Sequence, residues 1–391
     1  MFCINMEISM NHWREYSLRD AIELNPKREL KKGTLAKFVK MEHLQPFNRS
    51  VDDFEIKEYS GGAKFKNEDT IMARITPCLE NGKTGYVKFL VNSEVAGGST
   101  EFIVLTGKEG VTIPSFVYYL AISDDIRDKA IKSMTGTSGR QRVDNDLFGS
   151  IKVKIPTIPE QETIAKILSD FDNKIELNNK MNRTLEQMTQ AIFKHWFIDF
   201  EFPNENGKPY KSSGGKMVYS EMGKIPEGWK ISVFNDLINC TIGGDWGKEK
   251  EEGNYINRVK VIRGTDIPAI ASGNKGRMPE RYILDRIFKE RGLKADDLVV
   301  EISGGSPDQS TGRITYISKE FLDRFRGNII CSNFCRAIRP KTSEDSNYLY
   351  NLWKSLYNSD IFFNFENGTT GIKNLNINAL LHDYKIVIPT F

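Results

Sequence analysis

The sequence predicts an α+β protein made of two similar domains joined by one long helix of the coiled-coil type. Three observations predict it. Tracts of the first half recur in the second half in the same order. Each copy mixes short strand-like stretches with a helical pattern. Between the copies no Gly or Pro occurs from Glu160 to Phe202.

Length and composition agree with this. A chain of 391 residues is long for one domain and comfortable for two or three. Its 39% hydrophobic and 27% charged content is ordinary for a globular protein with real cores. No apolar run approaches the roughly 20 residues of a membrane span. The start, "MFCINMEISMNHWREYS", lacks a basic segment followed by an apolar one, so no signal peptide is expected. A cytoplasmic protein without a membrane partner is the expectation.

Cysteine and histidine point away from disulfide and metal chemistry. Five cysteines in so long a chain make no disulfide framework. Cys331 and Cys335 are four apart rather than in a C-x-x-C, and no nearby His completes a set, so no metal is expected. The histidines (His12, His43, His195, His382) are scattered singly. A net charge of +3 neither demands nor excludes nucleic acid, because clustering on one face decides.

The repeat carries the domain reading. "GTSGRQRVDNDLFGSIKVKIPT" (136–157) lies against "GTTGIKNLNINALLHDYKIVIPT" (368–390) at an offset of 232 to 233. "DTIMARIT" (69–76) matches "DDLVVEIS" (296–303), and "KTGYV" (83–87) matches "STGRI" (310–314), both at 227. "FVYYL" (116–120) matches "YLYNL" (348–352) at 232, and "HWREYSLRDAIEL" (12–24) resembles "GWKISVFNDLINC" (228–240) at 216. Loop insertions between two copies of one domain produce such a drift. Within a copy, "TIMARI", "GYVKFLV" and "EFIVLTG" read as strands between turn residues, and "IPSFVYYLAISDDIRDKAIKSM" as a helix.

Between the copies, Thr157-x-x-Glu160 fits a capping box with Pro159 in the first turn. Ile164, Leu168, Phe171, Ile175, Leu185 and Ile192 then fall on a 3.5-residue seam, interrupted by Asn178 and Asn182. At 1.5 Å per residue the helix is a rod on the order of 60 Å. Such a rod cannot bury its seam alone and wants a partner helix. The following "FPNENGKPYKSSGGKMVYSEMGKIPEGW" (202–229), rich in Pro, Gly, Ser and Asn, reads as an extended connector. The expected division is a first domain at 1–156, the helix at 157–202, a connector at 203–228 and a second domain at 229–391.

Two long tracts carry a resemblance: "IPTIPEQETIAKILSDFDNKIELNNKMNRTLEQMTQAIFKHWFIDFEFP" and "GKPYKSSGGKMVYSEMGKIPEGW". With them the chain resembles the specificity subunit of type I restriction–modification systems over essentially its whole length. The resemblance implies two target-recognition domains, each reading half of a bipartite double-stranded DNA site. It implies two conserved helices packed antiparallel as a spacer, and methyltransferase (M) subunits that methylate adenine N6 with S-adenosylmethionine. Restriction/translocase (R) subunits would join them, and the specificity subunit itself would be non-catalytic and bind no cofactor. Against that pattern, the second conserved helix should begin where "DYKIVIPTF" ends, and is expected to be absent. A cut chain, a truncated gene, or a helix supplied by another chain, including self-association through the seam, would each explain this.

The chemistry of the partners is absent from the sequence. No [N/D]-P-P-[Y/F] tetrad exists for holding an extruded adenine, since Asn25-Pro26 is followed by Lys27. No G-x-x-x-x-G-K-[S/T] exists for ATP phosphates, and the Gly-rich "ISGGSPDQSTG" (302–312) reads as a hairpin loop. A DNA reader needs Lys and Arg for phosphates, and Arg, Lys, Asn or Gln for base edges. The first candidate is the loop Gly136, Thr137, Ser138, Gly139, Arg140, Gln141, Arg142; its counterpart is Gly368, Thr369, Thr370, Gly371, Ile372, Lys373, Asn374. A shared Gly–Thr frame with altered tips suits two domains reading different half-sites, although a turn whose polar tips face water reads the same. Lys64 and Lys66, the alternating Arg258, Lys260 and Arg263, and the loop with Lys275, Arg277 and Arg281 are further candidates. The rival expectations are a two-module interaction protein without a DNA role, a nuclease whose site is not visible in the sequence, and a truncated, non-functional relic.

Overall fold

The structure is a computed structural model that describes residues 12–137, 139–304, 309–368 and 373–389. It divides into two compact units, Met1–Asn178 and Asn179–Phe391.

The central sheet of the first unit is antiparallel, with spatial order Ile22–Leu24, Phe102–Gly107, Thr70–Ala73, Thr84–Tyr86. Its strands read as unbroken apolar runs because both faces are covered. Ile71, Phe102 and Val104 enter one core with Val39, Phe65 and Val87; the alternating Met72, Ile103 and Leu105 enter a second with Leu18, Val117 and Phe148. Alternation of side chains across a strand makes this division. A smaller sheet sets Leu35–Val39 antiparallel to Glu55–Glu58 and parallel to Ala96–Gly98, which also pairs with Ala63–Phe65. Arg14–Ser17 pairs with Lys152–Ile155, bringing the ends of the domain together.

The second unit repeats the order of the central sheet, while its small sheet has three strands where the first has four. Its central sheet has the order Ile238–Gly243, Cys335–Pro340, Leu298–Glu301, Ile314–Tyr316. Leu298, Val300 and Ile338 face a core with Trp353, Phe362 and Leu380, while Val299 and Ala337 face another with Ile262 and Ile329. Tyr255–Ile262 pairs antiparallel with Glu280–Leu284 and parallel with Ile329–Cys331, and Lys230–Val233 pairs with Lys385–Ile388. The strands of the small sheets also end alike. Lys40 N–H donates to His43 Nδ1 at 3.1 Å, and Arg263 N–H donates to Asp266 Oδ2 at 3.1 Å, each closing a 3-10 turn. These turns are a further correspondence, 223 residues apart, and it falls within the drift seen in sequence.

The long helix runs Ile158–Phe193 and continues through a π-helical turn, Lys194–Ile198. Glu160 reaches back to accept from Thr157 N–H at 2.9 Å, the carboxylate half of a capping box, and also accepts from the Thr157 hydroxyl at 2.8 Å. One turn on, Gln161 is fully buried. Its amide accepts from Ile113 N–H at 3.0 Å and donates to Val111 and Pro156 carbonyls at 2.8 and 2.9 Å. Ala165 and the partly buried Ile164 then pack into the first unit's core. Ile164 therefore belongs to the domain contact and not to the seam.

The rest of the seam faces outward. Leu168, Phe171, Ile175, Leu185 and Ile192 are exposed, Phe171 by 66% and Leu185 by 56%. Asn178 is exposed with them, whereas Asn182 donates to the Ser272 carbonyl at 3.2 Å. After the π turn the chain departs from the expected extended connector. Met217–Ser220 and Gly223–Pro226 form a hairpin, and Phe202 stacks between Tyr210 at 4.5 Å and Trp229 at 5.1 Å. Aromatic spacing in this Pro- and Gly-rich stretch is what folds it.

Candidate nucleic-acid interface

The Gly–Thr loop of the first unit is the tip of a hairpin in which Met134–Thr135 pairs with Arg142–Val143. Gly136 and Gly139 adopt φ of +123° and +84°, a region side chains avoid, so the frame needs both glycines. The base of the hairpin is stitched to the end of the central sheet: Thr76 N–H donates to the Gln141 carbonyl at 3.0 Å and Val143 N–H to the Arg74 carbonyl at 2.8 Å. Thr137, Arg140 and Arg142 are exposed and Gln141 is half-buried; Ser138 lies outside the described residues. Arg142 is engaged. Its Nε donates to Glu101 at 2.9 Å and its Nη2 at 2.6 Å, and this bond holds Glu101 below the usual carboxylate range.

The counterpart in the second unit is a three-stranded ribbon of Ser303–Gly304, Lys373–Leu375 and Glu366–Asn367. Lys373 Nζ pairs with Glu366 at 3.0 Å and lies over the Phe363 ring at 4.6 Å. Asn374 accepts from the Ser303 hydroxyl. Gly368 is exposed, while Thr369, Thr370 and Gly371 lie outside the described residues.

The remaining candidates form separate groups. Lys64 lies over the Tyr59 ring at 5.5 Å and Lys66 is exposed beside it. Gly62, at φ +113°, lets that loop approach Gly98, whose carbonyl oxygen is 2.0 Å from where a Cβ would sit. On the second unit's small sheet, Glu280 receives both Arg258 at 2.7 Å and Lys260 at 3.4 Å. Arg263 holds the fold locally, since it pairs with the buried Asp266 at 2.9 Å and donates to the Arg277 carbonyl at 2.9 Å. Asp266 also accepts from Arg277 N–H at 2.9 Å, so this pair anchors the loop that displays Lys275 and Arg277. Arg281 packs over Trp246 at 4.7 Å and meets Glu249 at 3.4 Å.

Six candidate cations, Arg142, Arg258, Lys260, Arg263, Arg281 and Lys373, thus already have carboxylate partners. The Arg258 pair is exposed and screened by solvent, so a phosphate can exchange with its carboxylate. The Arg263 pair, with Asp266 2% exposed, resists such exchange. Two further clusters have ligand-like composition. Glu42, His43 and Glu55 bring ligand atoms within 4.8 Å of one another, but Lys40 Nζ already pairs with both carboxylates. Burial pushes the Cys331 and Cys335 thiols up to about 12, which keeps them protonated.

Residues 10–187 match the model of the type I restriction modification DNA specificity domain. These residues belong to the type I restriction–modification specificity family. The HindI specificity subunit of Haemophilus influenzae is 33% identical over 233 residues, 56% of this chain and 49% of that protein. The MjaVIII specificity subunit of Methanocaldococcus jannaschii is 30% identical over 217 residues, 53% of this chain and 48% of that protein. The chain thus spans about half the length of the curated relatives it matches. The solved S subunit of a type I restriction–modification system from M. genitalium is 15% identical, with a TM-score of 0.46 over 96% of this chain and 84% of that one.

Sequence reading misses one functional feature of this specificity domain: the polar face by which the helix docks. Arg49 binds Glu176 and Asn173, and Tyr119 donates to Asp172 at 2.7 Å. In the second unit Gln190 donates to Asn351 at 3.0 Å and Lys354 pairs with Glu186. Asp172 and Glu176, like Glu186 and Gln190, are spaced i, i+4, and that spacing was the available signal. Tyr119 and Asn351 occupy matching positions, 232 apart, of the repeated "FVYYL" and "YLYNL".

Proposed function

We propose that the chain is a non-catalytic specificity subunit that reads a bipartite site in double-stranded DNA, one half with each unit. It directs adenine-N6 methylation, and restriction, by M and R subunits assembled on it. The observation that carries this reading is the duplication: two units share one central-sheet order, and the repeated Gly–Thr tract, with different tip residues, joins a hairpin in the first and a three-stranded ribbon in the second. Arg140, Gln141 and Arg142 face one half-site; Lys373 and Asn374 face the other. Lys64 and Lys66 on the first unit, and Arg258, Lys260, Lys275 and Arg277 on the second, contact phosphates, while Arg263 shapes the loop that carries two of them. The chain binds no cofactor itself; S-adenosylmethionine belongs to the M subunit. The chain's site of action is the cytoplasm, where it meets DNA; among the described residues no helix is long and apolar enough to cross a membrane.

The exposed seam supports a second part of the reading. It packs against another helix of the same heptad pattern, and self-association of two chains satisfies that need as well as a second conserved helix does.

Duplex binding by the purified chain tests the DNA role. A logarithmic salt slope of several units is expected, at about 0.9 per phosphate contacted. A flat slope would favour a two-module interaction protein, and metal-dependent cleavage would favour a nuclease.

A further inference from the structure

Arg49 lies in the loop after the 3-10 turn Met41–His43, outside every candidate recognition loop, yet its side chain is only 4% exposed. It is aimed at the helix within the first unit. Nε donates to Glu176 Oε1 at 2.8 Å and Nη2 to Glu176 Oε2 at 2.9 Å, while Nη2 also donates to Asn173. Nη1 approaches the Tyr119 hydroxyl at 3.4 Å, and that hydroxyl donates to Asp172. One guanidinium therefore engages a single helical turn along both of its edges. Its backbone is fixed as well, since the Arg49 carbonyl accepts from Tyr86 N–H, on the central sheet, at 2.8 Å.

The geometry matters because of what surrounds it. At the helix start, Ala165 and Ile164 enter the first unit's core and the buried Gln161 is bonded to Ile113, Val111 and Pro156, so Arg49 acts further along the helix. Beyond them, at Asp172, Asn173 and Glu176, the docking contacts are polar. Apolar contacts tolerate small slides, but a forked pair does not, because it fixes direction as well as distance. A shift of one residue along the helix swings the partners by about 100° and strands a buried guanidinium.

We propose that Arg49 is a positioning residue: it locks the first recognition domain at one register on the helix and so sets the gap between the two half-sites. This rests on the DNA-recognition reading above. It is tested with the full chain co-expressed with its M subunit in a host lacking adenine methylation, by mapping N6-methyladenine. Three forms are compared with the wild type: Arg49→Met, Glu176→Ala, and the reversed pair Arg49→Glu with Glu176→Arg.

In Arg49→Met and Glu176→Ala, both half-site sequences are expected to persist. Methylation should spread to neighbouring gap lengths, and modification at the native gap should fall about 10- to 100-fold, as small misplacements of reacting groups do. The reversed pair is expected to restore a single gap. Should Arg49→Met fail to fold, Glu176→Ala decides, because Glu176 is 32% exposed on the helix and outside the domain's core. A single unchanged gap, methylated within about twofold of wild type, overturns the proposal. Loss of a half-site sequence, instead of a change in gap, also overturns it and leaves Arg49 a folding residue. Absence of any split motif with the wild-type chain refutes the DNA-recognition reading itself, and is distinguishable because it appears before any substitution.

Discussion

Gln161 carries an unusual share of the first unit's order for one side chain. Its buried amide closes three hydrogen bonds and joins the helix start to the loop before Pro114–Ile122. Gln161→Leu keeps the volume but orphans a buried N–H and two carbonyls, each worth about 1–3 kcal/mol. Urea unfolding of the variant should show a loss of that order, and an unchanged midpoint would contradict the assignment. Beside it, Glu160 is held down to about 2 by its bonds to the Thr157 hydroxyl and to His12. A depressed carboxylate stabilises the fold above its ordinary value of 4.5 and loses that contribution as pH falls toward 2. The protection factor of the Gln161 amide, which corrects for the intrinsic pH dependence of exchange, should therefore fall as pH drops between those values, and Glu160→Gln should flatten the dependence. The Thr157–Glu160 cap was legible because it is local. The Arg49 and Arg142 pairs were not, since Glu176 and Glu101 lie 127 and 41 residues away in the chain. Charge type alone cannot tell a cation facing DNA from one already matched at such separation.

At the scale of the element, the helix is two-sided. Its polar stripe is bonded to the domain within each unit, and its apolar stripe leaves Phe171, Ile175, Leu185 and Ile192 exposed. The heptad pattern showed the seam. It could not show that docking uses the other side, because Asp172, Glu176, Glu186 and Gln190 resemble an ordinary solvated face until their partners are known. Ile164 was misplaced for a related reason: at the helix start, the domain core and the seam compete for the same apolar residues. Phe171→Lys with Leu185→Lys should abolish association through the seam while shifting each unit's stability by no more than about 0.5 kcal/mol per site. Sedimentation velocity across a concentration series checks this; identical behaviour of wild type and variant would mean the seam associates with nothing.

At the scale of the molecule, the central claim is that one fold occurs twice. The repeat was legible because its drift from 216 to 233 is monotonic, and matching sheet orders in the two units extend it to strands with no shared residues. Which loop tips read which bases was not legible, since recognition requires those tips to differ. The direct test is to co-express the chain with its M subunit in a host lacking adenine methylation and map N6-methyladenine by long-read sequencing. Two different half-sites at one fixed gap are the predicted result, and exchanging Arg140–Arg142 for the residues at 372–374 should change one half-site only. A symmetric motif would mean that one unit is read twice in a dimer. A soluble complex that methylates no split motif would contradict the claim that each unit reads half a site.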